Sequence, residues 1–219
     1  MSESLPPPIF IAGSLGLDFL NSISVPVDEV VEWMGNGEDL LSWLRQAGLL
    51  TSAEVLKVRA RMSQKELDAV AAEARSFREW FRGFVESRMG RSLRPHDLSD
   101  LGPLRKLLGA DEVSWTIEPA SPDSSHLDHH GFHPIFQLQQ RRRWENRATL
   151  LSPIAEEIAK FICGADFRYI KGCEGKSCVL LFLDQTRRKT RRWCSMDTCG
   201  NRAKQAAHQN RLRSDKRPR

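Results

Sequence analysis

The sequence predicts a mainly α fold (α+β): a multihelical body that carries one small β-hairpin, with a cysteine-rich unit docked on it at the carboxyl end. Three observations lead to this prediction. Apolar residues recur at intervals of three and four, the spacing of a buried helix face, through most of residues 9–166. Two short segments near the middle alternate apolar and polar residues, as half-buried strands do. Four of the five cysteines form two equally spaced pairs near the carboxyl end.

The length of 219 residues allows one domain of ordinary size with a small unit attached. We expect residues 1–8 to form a flexible tail, 9–166 the body, 167–213 the cysteine-rich unit and 214–219 a basic tail. Residues 1–8 lack the pattern of a signal peptide, and no run approaches the ~20 apolar residues that span a bilayer. Paired cysteines at metal-ligand spacing suit a reducing compartment. We therefore expect a cytoplasmic protein without membrane contact.

The first element is an apolar segment, residues 9–24, which we expect to be helical. It carries Asp18 and Asn21, which are three positions apart and therefore lie on one helical face. One interpretation is that these two polar side chains line a small-molecule pocket. The other, which we favour, is that they cap the helix or bind backbone groups near its end.

The next helices have clear start and stop signals. Residues 36–48 have leucines at helical spacing, and Gly48 is expected to follow the helix in the left-handed conformation. Capping boxes at 51–54 and 63–66 begin two further helices. The second of these should be the main core helix, because its apolar stripe is the longest. That stripe consists of Leu67, Val70, Ala71, Ala74, Phe77, Phe81, Phe84 and Val85.

Residues 98–108 predict a short helix, after which two strands should form the hairpin of the body. Val113, Trp115 and Ile117 alternate with polar neighbours, and residues 136–139 repeat the pattern and are expected to pair with them.

The loop between these strands is rich in histidine. Asp128 and four imidazoles are metal-ligand types, but no second group of ligands supports a site there. We expect an ordinary loop, and a pH-sensitive lid is the other hypothesis. The four histidines are His126, His129, His130 and His133.

A basic run and a last body helix follow. Residues 141–143 are three arginines next to Trp144, and we expect a solvated strand end, although such a run also suits phosphate binding and base stacking. Residues 149–165 have the apolar spacing of a helix, with Pro153 near its start. Cys163 on this helix is expected to be a small core residue.

The two cysteine pairs have the spacing of metal ligands. Cys173 and Cys178 are separated by four residues, as are Cys194 and Cys199, and fifteen residues lie between the pairs. Four thiolates complete the tetrahedral coordination of one structural Zn²⁺ and leave no open position for water or substrate. A unit of this size buries too little apolar surface to fold without the ion. We predict a four-cysteine zinc finger, and no enzyme, because the sequence shows neither a nucleophile with a paired base nor a Gly-rich phosphate loop.

Charge divides the chain into two parts. Residues 161–219 hold fifteen Lys and Arg against five Asp and Glu, although the whole chain has a formal net charge of only +5. Some of this excess offsets the charge of about −2 on a zinc ion with four thiolates. The remainder, between the cysteine pairs and beyond Cys199, predicts a phosphate-bearing partner.

A helix should begin at the last cysteine, with Asp197 or Thr198 as its N-cap. Residues 200–213 contain no proline or β-branched residue and have only a thin apolar stripe. Their amide, imidazole and guanidinium groups are those that bind base edges and phosphates in a major groove. We expect DNA contacts from Asn201, Arg202, Lys204, Gln205 and His208, and phosphate contacts from Arg187, Arg188, Arg191, Arg211 and Arg213.

The strand before the second cysteine pair predicts docking. Residues 179–183 are apolar on both faces of that strand. Zinc and the final helix can cover only one face, so the other should be buried against the body. We expect the helix at 149–165 to be its partner.

Two strings in the carboxyl part, and one in the amino-terminal part, resemble known family signatures. Residues 192–204, with Cys199-Gly200-Asn201-Arg202 inside them, resemble the CGNR zinc finger, and Phe182-Leu183-Asp184-Gln185-Thr186 is similar to the Phe-x-Asp-x-(Ser/Thr) strand end of that family. Gly13 and the run Leu17-Asp18-Phe19-Leu20-Asn21 resemble the opening of the ABATE domain, which precedes this finger in bacterial proteins. Residues 51–148 carry no motif of either family.

The resemblance implies a bacterial transcription regulator that binds double-stranded DNA through its finger, while the body responds to a stress signal or a small-molecule effector. Three alternatives stay open. The finger could bind RNA or a ribosome, it could be a thiol redox sensor that releases zinc on oxidation, or zinc could only attach the carboxyl end to the body. The sequence also leaves homodimer formation open.

Overall fold

The computed structural model describes residues 5–24, 30–110, 113–119, 135–142, 144 and 147–215. Its helices are α1 (Leu15–Leu20), α2 (Gly37–Gln46), α3 (Ser52–Arg61), α4 (Gln64–Glu86), α5 (Gly102–Leu108), α6 (Arg147–Gly164) and α7 (Asn201–Asp215). Its strands are β1 (Ile23–Ser24), β2 (Val31–Glu32), β3 (Val113–Pro119), β4 (Phe136–Arg142), β5 (Ile170–Gly172) and β6 (Leu181–Leu183), which pair antiparallel in sequence order as three two-stranded sheets. The predicted α+β class is confirmed. None of the described helices is long and apolar enough to cross a membrane.

Helix α4 is the core of the body, as predicted. Ser63 and Glu66 form the expected capping box at its start, and Thr51 and Glu54 form the one that begins α3. Every residue of the predicted apolar stripe on α4 is buried. Because burial of one large apolar side chain is worth ~1.5–3 kcal/mol, this stripe and its neighbours supply much of the stability of the body.

Small residues let α1 and α2 approach their partners closely. Gly37 at the start of α2 lies so near α4 that a Cβ there would be 2.3 Å from the Cβ of Leu67. Gly16 of α1 faces α6, where a Cβ would be 3.1 Å from the Cβ of Phe161. Gly48 follows α2 with a φ of 72°, the left-handed conformation that the sequence predicts.

The predicted hairpin of the body is present. Strands β3 and β4 pair from Val113 opposite Arg142 to Pro119 opposite Phe136. At the end of β4, Arg142 forms an ion pair with Glu156 of α6, and its guanidinium lies 5.7 Å from the ring centroid of Trp144. The side chain of Arg142 is only 10% exposed, so the expected solvated strand end is wrong at this position. The side chains of Arg141 and Arg143 lie outside the described residues. The histidine-rich loop, with His126, His129, His130 and His133, lies outside the described residues.

Cys163 does not belong to the core, contrary to the prediction. It is exposed in the last turn of α6, whereas Phe161 two residues earlier is buried. Two residues rotate a helix by about 200°, so the side chain of Cys163 lies on the face opposite Phe161.

The carboxyl unit is docked on the body through β6, as expected. Leu181 and Phe182 are buried, and the N–H of Leu183 donates to the carbonyl of Ala12 at 2.8 Å. The predicted partner was wrong, because β6 lies mainly against α1 and the segment before it rather than against α6. The edge of β6 that β5 leaves open needs hydrogen-bond partners, which an extended segment provides and a helix cannot.

Candidate metal centre and nucleic-acid interface

The two cysteine pairs converge on one point. One sulfur atom from each of Cys173, Cys178, Cys194 and Cys199 lies within 4.8 Å of the other three. The Sγ–Sγ distance is 3.8 Å between Cys178 and Cys194 and 3.6 Å between Cys194 and Cys199. A tetrahedral zinc ion with Zn–S bonds of ~2.3 Å keeps its ligands about 3.8 Å apart, so the cluster has the dimensions of a closed four-thiolate site. The predicted cofactor, one structural zinc ion, is confirmed.

Backbone donors around the cluster favour thiolate ligands. The N–H groups of Gly175 and Cys194 donate to the sulfur of Cys173 at 3.4 and 3.2 Å. Such hydrogen bonds stabilise a charged sulfur and orient it toward a metal. Gly175 is needed for space as well, since a Cβ there would lie 3.0 Å from the sulfur of Cys199.

The thiols are close enough to shift one another's pKa values. A hydrogen bond with Cys194 lowers the pKa of Cys178 to about 5. The same contact and then burial raise the pKa of Cys194, and burial raises the pKa of Cys199 to about 11. Adjacent sulfurs cannot all ionise unless a positive ion compensates their charge. Zinc binding would therefore displace protons from these thiols.

Asp184 organises the segment between β6 and the second cysteine pair. Its carboxylate is fully buried, and one oxygen accepts from the N–H and the hydroxyl of Thr186 at 3.0 and 2.6 Å. The other oxygen accepts from Nζ of Lys171 at 2.8 Å and from the N–H of Arg191 at 2.9 Å. Burial acts to raise the pKa of Asp184, but the bonds from Lys171 and Thr186 outweigh it and hold the pKa below its usual value. These contacts give the Phe-x-Asp-x-Thr string its physical role.

Arg191 has a structural position, which corrects its predicted phosphate contact. Its guanidinium donates to the carbonyls of Ile11 at 3.1 Å and Trp193 at 3.0 Å, and also to the carbonyl of Cys194. It lies 4.3 Å from the ring centroid of Phe182. Because backbone carbonyls of the body and the finger use these donors, Arg191 ties the two parts together.

The helical path into α7 begins earlier than predicted. A π-helical turn, Met196–Gly200, precedes α7 and carries Cys199. Its N-cap is Ser195, whose hydroxyl accepts from the N–H of Asp197 at 3.2 Å. The expected caps, Asp197 and Thr198, therefore lie inside the turn. The wider turn presents Cys199 to the cluster before the regular helix starts.

Helix α7 exposes nearly all of the side chains that the structure describes on it. From 201 to 209 every side chain is exposed except that of Ala203, which is partly buried. The amide of Asn201 donates to the carbonyl of Asp197 at 3.3 Å, so it also has a local structural contact. The exposed members of the predicted DNA-binding set are Asn201, Arg202, Lys204, Gln205 and His208 on α7, with Arg187 and Arg188 in the preceding loop. The side chains of Arg211 and Arg213 lie outside the described residues.

Asp18 and Asn21 are buried and bind backbone groups of other segments. One carboxylate oxygen of Asp18 accepts from the N–H groups of Ile11 and Ala12, both at 2.9 Å. The amide of Asn21 donates to the carbonyl of Leu181 at 2.9 Å and accepts from its N–H at 3.1 Å. The alternative interpretation, backbone ties, is the one that the geometry supports. Burial of Asp18 raises its pKa to about 6 despite the two hydrogen bonds.

The contacts of three residues that shape the site were not predicted from the sequence. Lys171 lies opposite Phe182 in the β5–β6 pair, and its ammonium group also donates to the carbonyl of Lys189 at 2.7 Å. Gly175 and Ser195 are the other two. A glycine between two ligands and a serine two residues before an aspartate are recognisable turn and cap signals, whereas nothing local marks Lys171.

Comparison with known proteins gives a family for each part of the chain. A family model named ABATE, described as "Putative stress-induced transcription regulator", matches residues 13–165. A second model, the CGNR zinc finger, matches residues 169–212. Neither description names an enzyme. A search of curated proteins finds no significant match.

Proposed function

Because the chain belongs to the ABATE family and carries a CGNR zinc finger, we propose that it is a zinc-dependent transcription regulator that binds double-stranded DNA through α7 and the loop before the second cysteine pair. In this proposal the zinc ion fixes the geometry of the finger, the finger binds DNA, and the body receives an effector or a stress signal.

The observation that carries the proposal is the exposure of α7. A helix gains most of its stability from packing an apolar face, yet α7 exposes nearly all of its described side chains. Its fifteen residues extend about 22 Å from the metal cluster. The major groove of DNA is ~12 Å wide and admits one such helix, and its base edges pair with Asn, Gln and Arg side chains.

The way in which the finger is attached to the body supports regulation of its DNA binding. Asn21 and Arg191 each link the body to the finger through buried or half-buried hydrogen bonds. A firmly docked finger moves with the body, so a ligand that changes the body can change the affinity of α7 for DNA.

Selection from a random duplex library tests the proposal. Zinc-loaded full-length protein is mixed with the library and an equal mass of structured RNA at ~150 mM salt. A lower salt concentration would strengthen non-specific binding. We expect one recurrent duplex sequence. The variant Gln205→Ala should relax preference at one position by ~1–3 kcal/mol, and Cys163→Ser, which alters an exposed residue outside the finger, should not change the selected sequence.

Three other outcomes would contradict the proposal. Recovery of RNA in place of duplex would assign the finger to RNA binding. Recovery of neither duplex DNA nor RNA would indicate that zinc only attaches the carboxyl end to the body. Uniform loss of affinity from every α7 variant would contradict base reading by this helix.

A further inference from the structure

The segment between β6 and the second cysteine pair contains a tight turn whose two central residues are arginines. The N–H of Lys189 donates to the carbonyl of Thr186 at 3.1 Å, which closes a β-turn with Arg187 and Arg188 at its central positions. Both arginines are exposed, and neither has an ion-pair partner among the described residues. The turn therefore presents two adjacent cationic side chains to solvent.

The other basic residues of this segment are held by the fold. Residues 184–193 contain five Lys and Arg, and three of them donate hydrogen bonds to protein groups. These three are Lys189, Arg191 and Arg192. Within this segment, the charges at the tip of the turn are thus the ones that a partner outside the chain can reach.

Lys189 has a backbone conformation that residues with a side chain disfavour. Its φ is 51°, in the left-handed region, and no other non-glycine residue in the described part of the chain has a positive φ. Such strain persists only where the surrounding contacts outweigh it. Backbone strain of this kind occurs preferentially at functional sites.

Both ends of the turn are anchored. The ammonium group of Lys189 donates to the carbonyl of Asp184 at 2.9 Å and lies 4.7 Å from the ring centroid of Tyr169. The carbonyl of Lys189 accepts from Nζ of Lys171 at 2.7 Å. At the other end, the N–H and the hydroxyl of Thr186 bind the buried carboxylate of Asp184. These contacts fix the backbone on which the two arginines are presented.

We propose that Lys189 is a positioning residue, which preorganises this turn so that Arg187 and Arg188 contact phosphates of the duplex. Preorganisation strengthens binding, because the loop does not have to be ordered when the partner binds. The phosphate contacts rest on the proposed function, whereas the order of the turn in the free protein does not. Lys189 itself is assigned no phosphate, since its ammonium group is held by Asp184 and Tyr169.

Two substitutions at Lys189 separate positioning from charge. Lys189→Met keeps most of the length of the side chain but loses the contacts that compensate the left-handed backbone, so the turn should open. Lys189→Gly loses the same contacts and the same charge, but glycine adopts a positive φ without strain, so the turn should persist. A residue that acts only through its charge would respond equally to both changes.

Filter binding of zinc-loaded full-length protein to the selected duplex, across a salt series, measures the consequence for DNA. We expect Lys189→Met to bind about tenfold more weakly and to lower the salt slope by about 1–2, because one or both arginine contacts are lost. Lys189→Gly should stay within about threefold of the parent, with an unchanged slope. Lys57→Met, which removes the same charge from an exposed position on α3, should change neither quantity. Equal losses in the two Lys189 variants would overturn the positioning role.

The order of the turn has a readout that does not involve DNA. The amide of residue 189 donates to the carbonyl of Thr186, so its hydrogen-exchange protection in the free protein reports the closed turn. We expect protection in the parent and in Lys189→Gly, and a protection factor at least about tenfold lower in Lys189→Met. An unprotected amide in the parent would overturn the inference, whether or not the protein binds DNA.

The two readouts distinguish two kinds of failure. A protected turn in a protein that binds no duplex would reject the proposed function and the phosphate contacts, but would keep the preorganised turn. Duplex binding by a protein with an unprotected turn would keep the proposed function and reject the positioning role of Lys189.

Discussion

The side-chain amide of Asn21 forms two buried hydrogen bonds with the backbone of one residue, Leu181, which lies 160 positions further along the chain. The oxygen accepts from the N–H of Leu181 at 3.1 Å, and the nitrogen donates to its carbonyl at 2.9 Å. The amide thus behaves like one more residue paired to the edge of β6. The asparagine of the amino-terminal ABATE signature is therefore a structural joint between the body and the finger.

Asn21→Leu should loosen this joint. Leucine has a similar volume but leaves the N–H and the carbonyl of Leu181 buried without partners, and we expect a loss of ~2–4 kcal/mol in the free energy of unfolding. Chemical denaturation measures the loss, and hydrogen exchange should become faster at the amide of Leu181 in particular.

Gln185→Ala is the matched control for that change. The amide of Gln185 also joins finger to body, donating to the carbonyl of Gly13 at 3.1 Å, but it is exposed to water. Water replaces the lost bond, so the cost should be below ~0.5 kcal/mol. Equal losses in the two variants would contradict the role that burial has at Asn21.

Two glycines in helices should respond to alanine with opposite signs. Gly37→Ala would place a Cβ 2.3 Å from the Cβ of Leu67 and 2.7 Å from its carbonyl carbon, so α2 must shift away from α4. We expect a loss of ~1–3 kcal/mol. Gly83→Ala meets no atom within 4 Å in the last turn of α4 and should gain ~0.5–1 kcal/mol through helix propensity. Urea denaturation of both variants checks the two signs together.

Only the clustered cysteines should affect zinc. Cys194→Ser removes a buried ligand, and we expect zinc content to fall from one ion per chain to near zero, with loss of helical signal from the carboxyl unit. Cys163→Ser changes an exposed thiol outside the cluster and should keep both the zinc and the helical signal. Metal analysis and circular dichroism read the outcome, and zinc retained in Cys194→Ser would contradict the four-ligand assignment.

Local patterns predicted much of the fold and the metal site, because their causes are local. The capping box at Ser63 and the apolar stripe of α4 depend on neighbours within a few residues, and the spacing of the cysteine pairs follows from the coordination of one ion. The positions of Asn21 and Arg191 could not be predicted in this way. Their partners, Leu181 and Ile11, are 160 and 180 positions away, and no local pattern marks which distant backbone atom a polar side chain binds.

Distant contacts also explain why the excess of basic residues led to a wrong role for Arg191. Arg188 and Arg191 look alike in the sequence, both in the basic stretch before the second cysteine pair. Only the fold shows that the first is exposed and that the second donates to backbone carbonyls beside the ring of Phe182. An excess of basic residues predicts a phosphate partner for a segment but does not assign the contact to one side chain.

Asp18 should give the protein a specific pH dependence. Its pKa is raised from 3.8 to about 6 by burial, so the folded state holds the proton more tightly than the unfolded state does. The resulting stability is present below pH ~4 and is lost as the pH rises through 6, by up to about 3 kcal/mol. Asp18→Asn stays uncharged and should lack this decline.

The measurement is the difference in unfolding free energy between the two proteins from pH 4 to pH 7. Zinc thiolates also take up protons in that range, but they do so in both proteins and cancel in the difference. We expect Asp18→Asn to become more stable relative to the parent as the pH rises. A constant difference would show that Asp18 titrates normally.

Arg188 and Arg191 should separate DNA binding from folding. Arg188 is exposed in the loop between β6 and the second cysteine pair, so Arg188→Gln should weaken binding to all duplexes equally and lower the salt slope by ~0.9 without changing the melting temperature. Arg191→Gln removes the bond to the carbonyl of Ile11 and should lower the melting temperature first. Filter binding across a salt series and thermal denaturation give both quantities for each variant. An unchanged salt slope in Arg188→Gln would remove this loop from the proposed DNA interface. Helix α7 would then be the remaining DNA-binding element, because the guanidinium of Arg191 already donates to backbone carbonyls.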